Sequence, residues 1–129
     1  MTPNANDEPL RGLQIFVVED ERLISMMLEV MLGDLGCVVA GVAATVDKAL
    51  SQVETTSAID VAILDVNLGG QKVFPVADVL AKRGVPFVFS TGYGPSDLAL
   101  RYPKSLLLNK PYNSERLARV LVEATREAA

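Results

Sequence analysis

An apolar run that stops at three consecutive acids, LQIFVVEDE, occupies residues 13–21. Apolar runs of this length, without polar alternation, are typical of strands that are buried on both faces of a parallel sheet. A second such run, VAILD, occupies residues 61–65 and also ends at an acid. Two buried strands that each end in a carboxylate indicate that charged groups meet at one edge of a sheet.

The segments around these two runs alternate between strand and helix patterns. Further strands are predicted at residues 37–42, 87–89 and 106–108, and helices near residues 23–35, 46–53, 73–80 and 114–124. A short, weak helix is predicted between Ser96 and Arg101, because prolines and glycines flank this segment. This alternation predicts an α/β fold in which helices cover both faces of a doubly wound parallel sheet.

The chain of 129 residues is long enough for one domain with a sizeable core. Residues 1–10 are polar and carry Pro3 and Pro9, so we expect a flexible tail there. We expect residues 11–129 to form a single domain that no output domain follows. No signal peptide or membrane-spanning segment is visible, which predicts a cytoplasmic protein without membrane contact.

The residue types that are missing exclude several kinds of chemistry. The chain has no histidine, which excludes imidazole bases, Ser-His-Asp triads, histidine zinc sites and a phosphohistidine of its own. The one cysteine, Cys37, lies in an apolar run and is predicted to fill the core. A net charge of −4 and the lack of a basic stripe argue against a nucleic-acid partner.

Candidate site residues follow the ends of four predicted strands. Glu19 and Asp20 follow the first strand, Asp65 ends the third, Thr91 follows the fourth and Lys110 follows the fifth. Right-handed crossovers bring the carboxyl ends of parallel strands to the same edge, so these side chains are expected to share one crevice. Polar residues are common where loops begin, which could explain any one of these residues. It does not explain why acids, a hydroxyl and a lysine all come to the same edge of the sheet.

The composition of this crevice favours a metal-assisted phosphoryl site. Three neighbouring carboxylates repel one another unless a cation joins them. Oxygen ligands without histidine select a hard ion, Mg²⁺ first and Mn²⁺ second. A lysine and a hydroxyl opposite the ion suit the charged oxygens of a phosphoryl group, for which a carboxylate is an available nucleophile.

Four motifs in this order resemble the receiver domain of two-component response regulators. They are VVED at residues 17–20, ILD at 63–65, STG at 90–92 and KP at 110–111, and the resemblance covers residues 13–129. FSTGY at residues 89–93 is similar to the subgroup named for a Phe-Ala-Thr-Gly-Tyr motif, with Ser90 in place of the alanine. The resemblance implies five parallel strands in the flavodoxin-like order 2-1-3-4-5.

The resemblance also implies a role for each site residue. Asp65 would be the phosphoacceptor, Thr91 would hydrogen-bond the phosphoryl group, and Lys110 would pair with one of its oxygens. The peptide bond between Lys110 and Pro111 resembles the cis peptide of the family.

A magnesium site is implied as well. Asp20, Asp65 and the backbone carbonyl of Asn67 would bind Mg²⁺, and Glu19 would help through water. The side-chain amide of Asn67, two residues after the acceptor, could orient a water molecule toward the acyl phosphate.

Two departures from the family concern how the domain switches. Leu107 stands where most receivers carry an aromatic residue that moves inward with the hydroxyl. Glycines flank Tyr93 and a proline follows them, which predicts a looser loop than an ordinary fourth helix gives. We therefore expect phosphorylation to order residues 93–101.

The predicted function is that of a stand-alone receiver that takes a phosphoryl group from a histidine kinase or a histidine phosphotransfer protein. It would signal through contact with an unidentified downstream protein or act as a phosphate shuttle or sink. It would not be an enzyme beyond catalysing its own phosphorylation and dephosphorylation. We expect a monomer, and dimerisation on phosphorylation stays open.

Two alternatives remain at this point. An aspartate-nucleophile phosphatase would use the same acids, but such enzymes usually carry a second acid at the position of Asn67. A phosphate-independent interaction module would not need the complete set of acids, hydroxyl and lysine. Lys72, Lys82 and Arg83 are interpreted as solvated side chains, and Met26, Met27 and Met31 as packing residues of the first helix.

Overall fold

The computed structural model describes residues 8–92, 102 and 105–128. The main sheet contains β1 (Gln14–Val18), β2 (Val38–Ala43), β3 (Val61–Asp65), β6 (Phe87–Thr91) and β7 (Leu106–Asn109). Two short strands, β4 (Asn67–Leu68) and β5 (Gln71–Lys72), form a separate hairpin. The helices are α1 (Arg22–Asp34), α2 (Val46–Thr55), α3 (Phe74–Lys82) and α4 (Ser114–Ala128), and a single 3-10 turn spans Glu8–Leu10.

The five strands of the main sheet pair in the order β2-β1-β3-β6-β7, and all four pairings are parallel. This is the order 2-1-3-4-5 when the hairpin strands are left out, so the predicted fold is confirmed. The short helix predicted between Ser96 and Arg101 lies outside the described residues. Within the described ranges, no helix combines the length and the apolar character needed to cross a bilayer.

The core has two halves because neighbouring residues of a strand point to opposite faces of the sheet. Phe16 and Val18 pack in one half with residues of α2 and α3. Ile15 and Val17 pack in the other half with residues of α1 and α4. All four side chains are fully buried, which explains why β1 reads as a continuous apolar run.

The ends of the helices follow local sequence signals. The hydroxyl of Thr45 accepts a hydrogen bond from the backbone N–H of Lys48 and caps α2. The side chain of Asn113 accepts one from the backbone N–H of Arg116 at the start of α4, with an O···N distance of 2.9 Å. Each cap satisfies an N–H that a helix leaves without a partner.

Leu10 and Cys37 are both buried in the core. Leu10, which the sequence predicts to lie in the flexible tail, is fully buried and belongs to the α1–α4 half of the core. The folded domain therefore includes the turn Glu8–Leu10. Cys37 is buried in the same half, as predicted, and this burial raises the pKa of its thiol to about 11.

The packing predicted for α1 is wrong in part. Leu28 and Leu32 are buried, but Leu23 is 76% exposed, Met27 60% and Val30 65%. The apolar face of α1 is therefore wider than the part of the helix surface that packs against the rest of the domain. We call Leu23, Met26, Met27 and Val30 the α1 apolar surface, because all four are exposed on one helix.

Candidate functional site

The carboxyl ends of the parallel strands meet around one cleft of about 510 Å³. Asp20 follows β1, Asp65 ends β3, Thr91 ends β6 and Lys110 follows β7, and all four side chains line this cleft. Asn67, in the hairpin after β3, lines it too. The parallel topology therefore assembles the predicted residues, as expected for the ligand-binding edge of a doubly wound sheet.

Lys110 lies between two carboxylates. Its Nζ is 2.9 Å from Oε1 of Glu19 and 3.3 Å from Oδ2 of Asp65. Only 3% of the Glu19 side chain is exposed, against 10% for Asp65 and 19% for Lys110. Glu19 is therefore a buried partner beneath the cleft, whereas Asp65 and Lys110 line the cleft itself.

The burial of this group changes its proton affinities. Burial, and secondarily the neighbouring carboxyl of Asp65, raise the pKa of Glu19 to about 7, although its contact with Lys110 acts in the opposite direction. Burial alone would lower the pKa of Lys110, but its hydrogen bond to Glu19 and the charges of Asp65 and Glu19 leave that pKa raised. Lys110 therefore stays a cation, and Glu19 holds its proton more readily than an exposed glutamate does.

The acidic residues that follow β1 form a compact group. One carboxylate oxygen from each of Glu19, Asp20 and Glu21 lies within 4.8 Å of the others. Glu19 is occupied by Lys110 and by the backbone N–H of Glu21, while Oδ2 of Asp20 accepts the N–H of Gly69 at 2.9 Å. Oxygen donors concentrated in this way, beside Asp65, fit a hard divalent cation.

The hairpin after β3 is a feature that the sequence reasoning missed. Gly69 and Gly70 both have positive φ and form the turn that places Asn67 opposite Lys72. The ammonium of Lys72 donates to Oδ1 of Asn67 at 2.7 Å. Lys72 is exposed, in agreement with its interpretation as a solvated side chain, and it also contacts a residue of the cleft. The two glycines were the available signal, because a two-residue turn pairs the residues on either side of it.

An aromatic cluster lies behind β6. The ring of Tyr102 packs against Phe74, Phe87 and Phe89, with ring centroids 6.2, 5.4 and 5.6 Å apart. The Tyr102 hydroxyl donates to the carboxylate of Asp78 on α3. Leu107, where most receivers are expected to have an aromatic residue, packs against the same half of the core. Tyr93 lies outside the described residues.

A second, apolar cavity of about 330 Å³ adjoins the cleft. Its lining includes Met27 and Met31 of α1 and residues 110–112, and Lys110 lines both this cavity and the cleft. The peptide bond between Lys110 and Pro111 is cis, as the resemblance implied. Burial, assisted by the charge of Glu19, raises the pKa of Tyr112 in the cavity wall. The α1 apolar surface and the cleft are therefore neighbours.

Comparison with known families gives one match across most of the chain. Residues 15–122 match the family model described as the response regulator receiver domain. A curated relative, the phyllosphere-induced regulator PhyR of Methylorubrum extorquens, is 31% identical over 114 residues, which are 86% of this chain. The chain spans only 43% of the length of that relative.

Solved structures of similar chains have the same fold. The solution structure of SdrG from Sphingomonas melonis Fr1 is 46% identical, covers 86% of this chain and 94% of its own, and superposes with a TM-score of 0.76. The BeF3-activated conformation of SdrG, from Pseudomonas melonis Fr1, is 43% identical, covers 87% of this chain and 95% of its own, and has a TM-score of 0.75.

Proposed function

This chain belongs to the response regulator receiver domain family, as its motifs predicted, and on that premise we propose that it accepts a phosphoryl group on Asp65. The observation that carries the proposal is the position of Lys110, which lies against Asp65 and Glu19 at the edge of a cleft lined by Thr91. A carboxylate nucleophile, a fixed cation and a hydroxyl are the groups that phosphoryl transfer needs.

The proposed reaction transfers the phosphoryl group from a phosphohistidine of a partner protein. A carboxylate oxygen of Asp65 forms a bond to phosphorus while the bond from phosphorus to the histidine nitrogen breaks, and the products are an acyl phosphate and free histidine. Lys110 holds positive charge where the transferred oxygens arrive. The hydroxyl of Thr91, which lines the cleft, would donate a hydrogen bond to one of those oxygens.

We propose that the acidic group holds Mg²⁺ during this reaction. Asp20, Asp65 and the backbone carbonyl of Asn67 would bind the ion, and Glu19 would assist through water, since its two oxygens already have partners. When bound, Mg²⁺ offsets the negative charge of the phosphoryl oxygens and of the carboxylates. The N–H of Gly69, which donates to Oδ2 of Asp20, would hold this ligand in place.

We propose that the phosphodonor, a histidine kinase or a phosphotransfer protein, covers the α1 apolar surface. This surface continues into the apolar cavity that shares Lys110 with the cleft. A donor helix packed there would bring its phosphohistidine beside Asp65 and remove exposed apolar area from water. The output would be contact with a further protein or relay of the phosphate.

Incubation of the purified chain with Mg²⁺ and a small phosphodonor, followed by intact-mass and peptide mass spectrometry, tests this function. We expect one phosphoryl group per chain, located on Asp65, and none on Asp65→Asn. Asp34→Asn, which changes an exposed acid at the far end of α1, is the matched control and should be phosphorylated normally. Turnover of many donor equivalents would instead support the phosphatase alternative, and a chain that neither carries phosphate nor consumes the donor would refute both.

A further inference from the structure

Lys72 is held opposite Asn67 by the geometry of the hairpin. β4 and β5 are antiparallel, with Asn67 paired to Lys72 and Leu68 to Gln71. The two turn residues, Gly69 and Gly70, have φ values of 54° and 91°, which suit a two-residue hairpin turn and strain other residue types. A further backbone hydrogen bond, from Val73 N–H to Val66 O at 3.0 Å, continues this pairing.

The contact between these two side chains settles the orientation of an amide. The Nζ of Lys72 lies 2.7 Å from Oδ1 of Asn67. An ammonium group can only donate, so the amide oxygen must face Lys72 and the amide N–H groups must face elsewhere. Lys72 thereby removes the freedom of Asn67 to exchange its oxygen and its nitrogen.

Asn67 is also close to the proposed phosphoacceptor. It follows Asp65 by two residues, lines the same cleft, and directs its backbone N–H toward Oδ1 of Asp65 at 3.4 Å. With the amide oxygen engaged by Lys72, what Asn67 has left to offer the cleft is a pair of N–H donors. Such donors match the oxygens of a phosphoryl group on Asp65.

We propose that Lys72 is a positioning residue that prolongs the lifetime of the acyl phosphate through Asn67. The inference rests on the proposed function, because it concerns the fate of the phosphoryl group on Asp65. Lys72 orients the amide of Asn67 so that the amide N–H groups bind a phosphoryl oxygen. Loss of Lys72 leaves the amide free to turn its oxygen into the cleft.

The sign of the effect follows from what hydrolysis requires. A water oxygen forms a bond to phosphorus, the bond from phosphorus to the Asp65 oxygen breaks, and the water protons pass to the released phosphate and to solvent. The attacking water is activated by an acceptor that takes its hydrogen bond and aims its lone pair at phosphorus. Oδ1 of Asn67 could be that acceptor, as the sequence alone suggested, but its contact with Lys72 turns it toward the ammonium group. Donors on a phosphoryl oxygen stabilise the acyl phosphate instead.

A double-mutant cycle between Lys72 and Asn67 tests the inference. The wild type, Lys72→Met, Asn67→Ala and the double variant are phosphorylated with a small donor, and the first-order loss of phosphate is followed with Mg²⁺ present. Lys72→Met should hydrolyse about fivefold faster than the wild type, as expected for the loss of one hydrogen bond. The same change in the Asn67→Ala background should have no further effect. Lys82→Met removes the same charge from the exposed end of α3 and is the control for charge alone.

A second readout is the affinity for beryllofluoride, a phosphoryl analogue. Lys72→Met should weaken it about fivefold with Asn67 present, and Lys72→Arg, which keeps a donor, should restore both lifetime and affinity. The inference is overturned if Lys72→Met behaves like the wild type, or if it acts equally with and without the Asn67 side chain. A faster hydrolysis with unchanged analogue affinity would overturn it too, since the amide would then not touch the phosphoryl group. If the wild type itself takes no phosphate, the proposed function has failed instead.

Discussion

Lys110 and Glu19 form an ion pair between the ends of the last and first strands of the sheet, with Nζ 2.9 Å from Oε1. The same ammonium lies 3.3 Å from Oδ2 of Asp65. Without a phosphoryl group, Lys110 is therefore held more closely by the buried acid than by the proposed acceptor. A phosphoryl group on Asp65 would compete for that cation with Glu19, whose own pKa is raised to about 7.

Stability without divalent cations should fall as the pH rises through the titration range of Glu19. The pKa of Glu19 is raised from 4.5 to about 7 in the folded chain. Between these values the folded chain keeps a proton that the unfolded chain has lost, so a rising pH lowers the free energy of unfolding, by about 2–3 kcal/mol over the interval. Urea unfolding in a chelator at about pH 5 and about pH 7.5 measures this fall.

Glu19→Gln is the matched variant for that measurement. It keeps the shape of the side chain and removes the titrating group, so its stability should depend less on pH over the same interval. An identical pH dependence in the variant and the wild type would show that Glu19 is not the group responsible.

Mg²⁺ should raise the melting temperature by binding the acidic group. An ion that binds only the folded chain stabilises it by mass action, and at about ten times Kd the rise should be about 5 °C. Asp20→Ala removes a proposed ligand and should abolish the rise, whereas Asp34→Ala, at the far end of α1, should retain it. Thermal melting with and without Mg²⁺ measures the rise in each variant. A rise of the same size in Asp20→Ala would show that the ion binds elsewhere.

The hydrogen bond between Tyr102 and Asp78 should contribute measurably to stability. Tyr102→Phe keeps the ring packed against Phe89 but removes the donor, and we expect a loss of about 1 kcal/mol in the free energy of unfolding. Tyr102→Ala also removes the ring and should cost about 3 kcal/mol. Combining Tyr102→Phe with Asp78→Ala should be less than additive, and strictly additive losses in urea unfolding would show that the pair does not interact in solution.

The α1 apolar surface should affect transfer from a protein donor more than transfer from a small one. Leu23→Glu and Val30→Glu place a charge on this surface, and desolvating it would oppose docking. We expect the ratio of the protein-donor rate to the small-donor rate to fall about tenfold. Ala81→Glu, on the exposed side of α3, is the control, and an equal ratio in all three variants would exclude this surface from docking.

The ordering of residues 93–101 on phosphorylation stays a prediction. Leu107 cannot act as the usual aromatic switch, so the change is expected in the segment between β6 and β7. Backbone relaxation by NMR, with and without beryllofluoride, measures it directly. Equal order of this segment in both states would count against the idea.

The parallel sheet and the edge that carries the site were predictable because their signals are local. Apart from Gln14 at the start of β1, the residues of β1 and β3 are buried and apolar until the chain reaches Glu19 or Asp65. Once the strands are parallel, topology alone brings their ends together. The caps formed by Thr45 and Asn113 are equally local, because capping depends on residues within one turn.

The features that the sequence did not predict depend on tertiary contacts, that is, on which other elements pack against a residue. Periodicity groups Leu23 and Met27 with buried residues of α1, but it does not say how wide a stripe the neighbouring elements cover. Leu10 belongs to a single 3-10 turn, which has too few residues for a pattern. The pairing of Lys72 with Asn67 arises from two-residue strands, and strands this short carry no alternation to detect.

The dispersal of the site along the chain has a consequence for how this protein can be used. Glu19, Asp65 and Lys110 touch only when β1, β3 and β7 are all in place, and the pair Lys110–Glu19 closes a separation of 91 residues. A nicked or partly unfolded chain therefore keeps no working site, since no short fragment of the chain contains all of the site residues. Uptake of phosphate by Asp65 would consequently report the intact tertiary structure, and it could serve as a sensitive assay for reassembly of split halves of the domain.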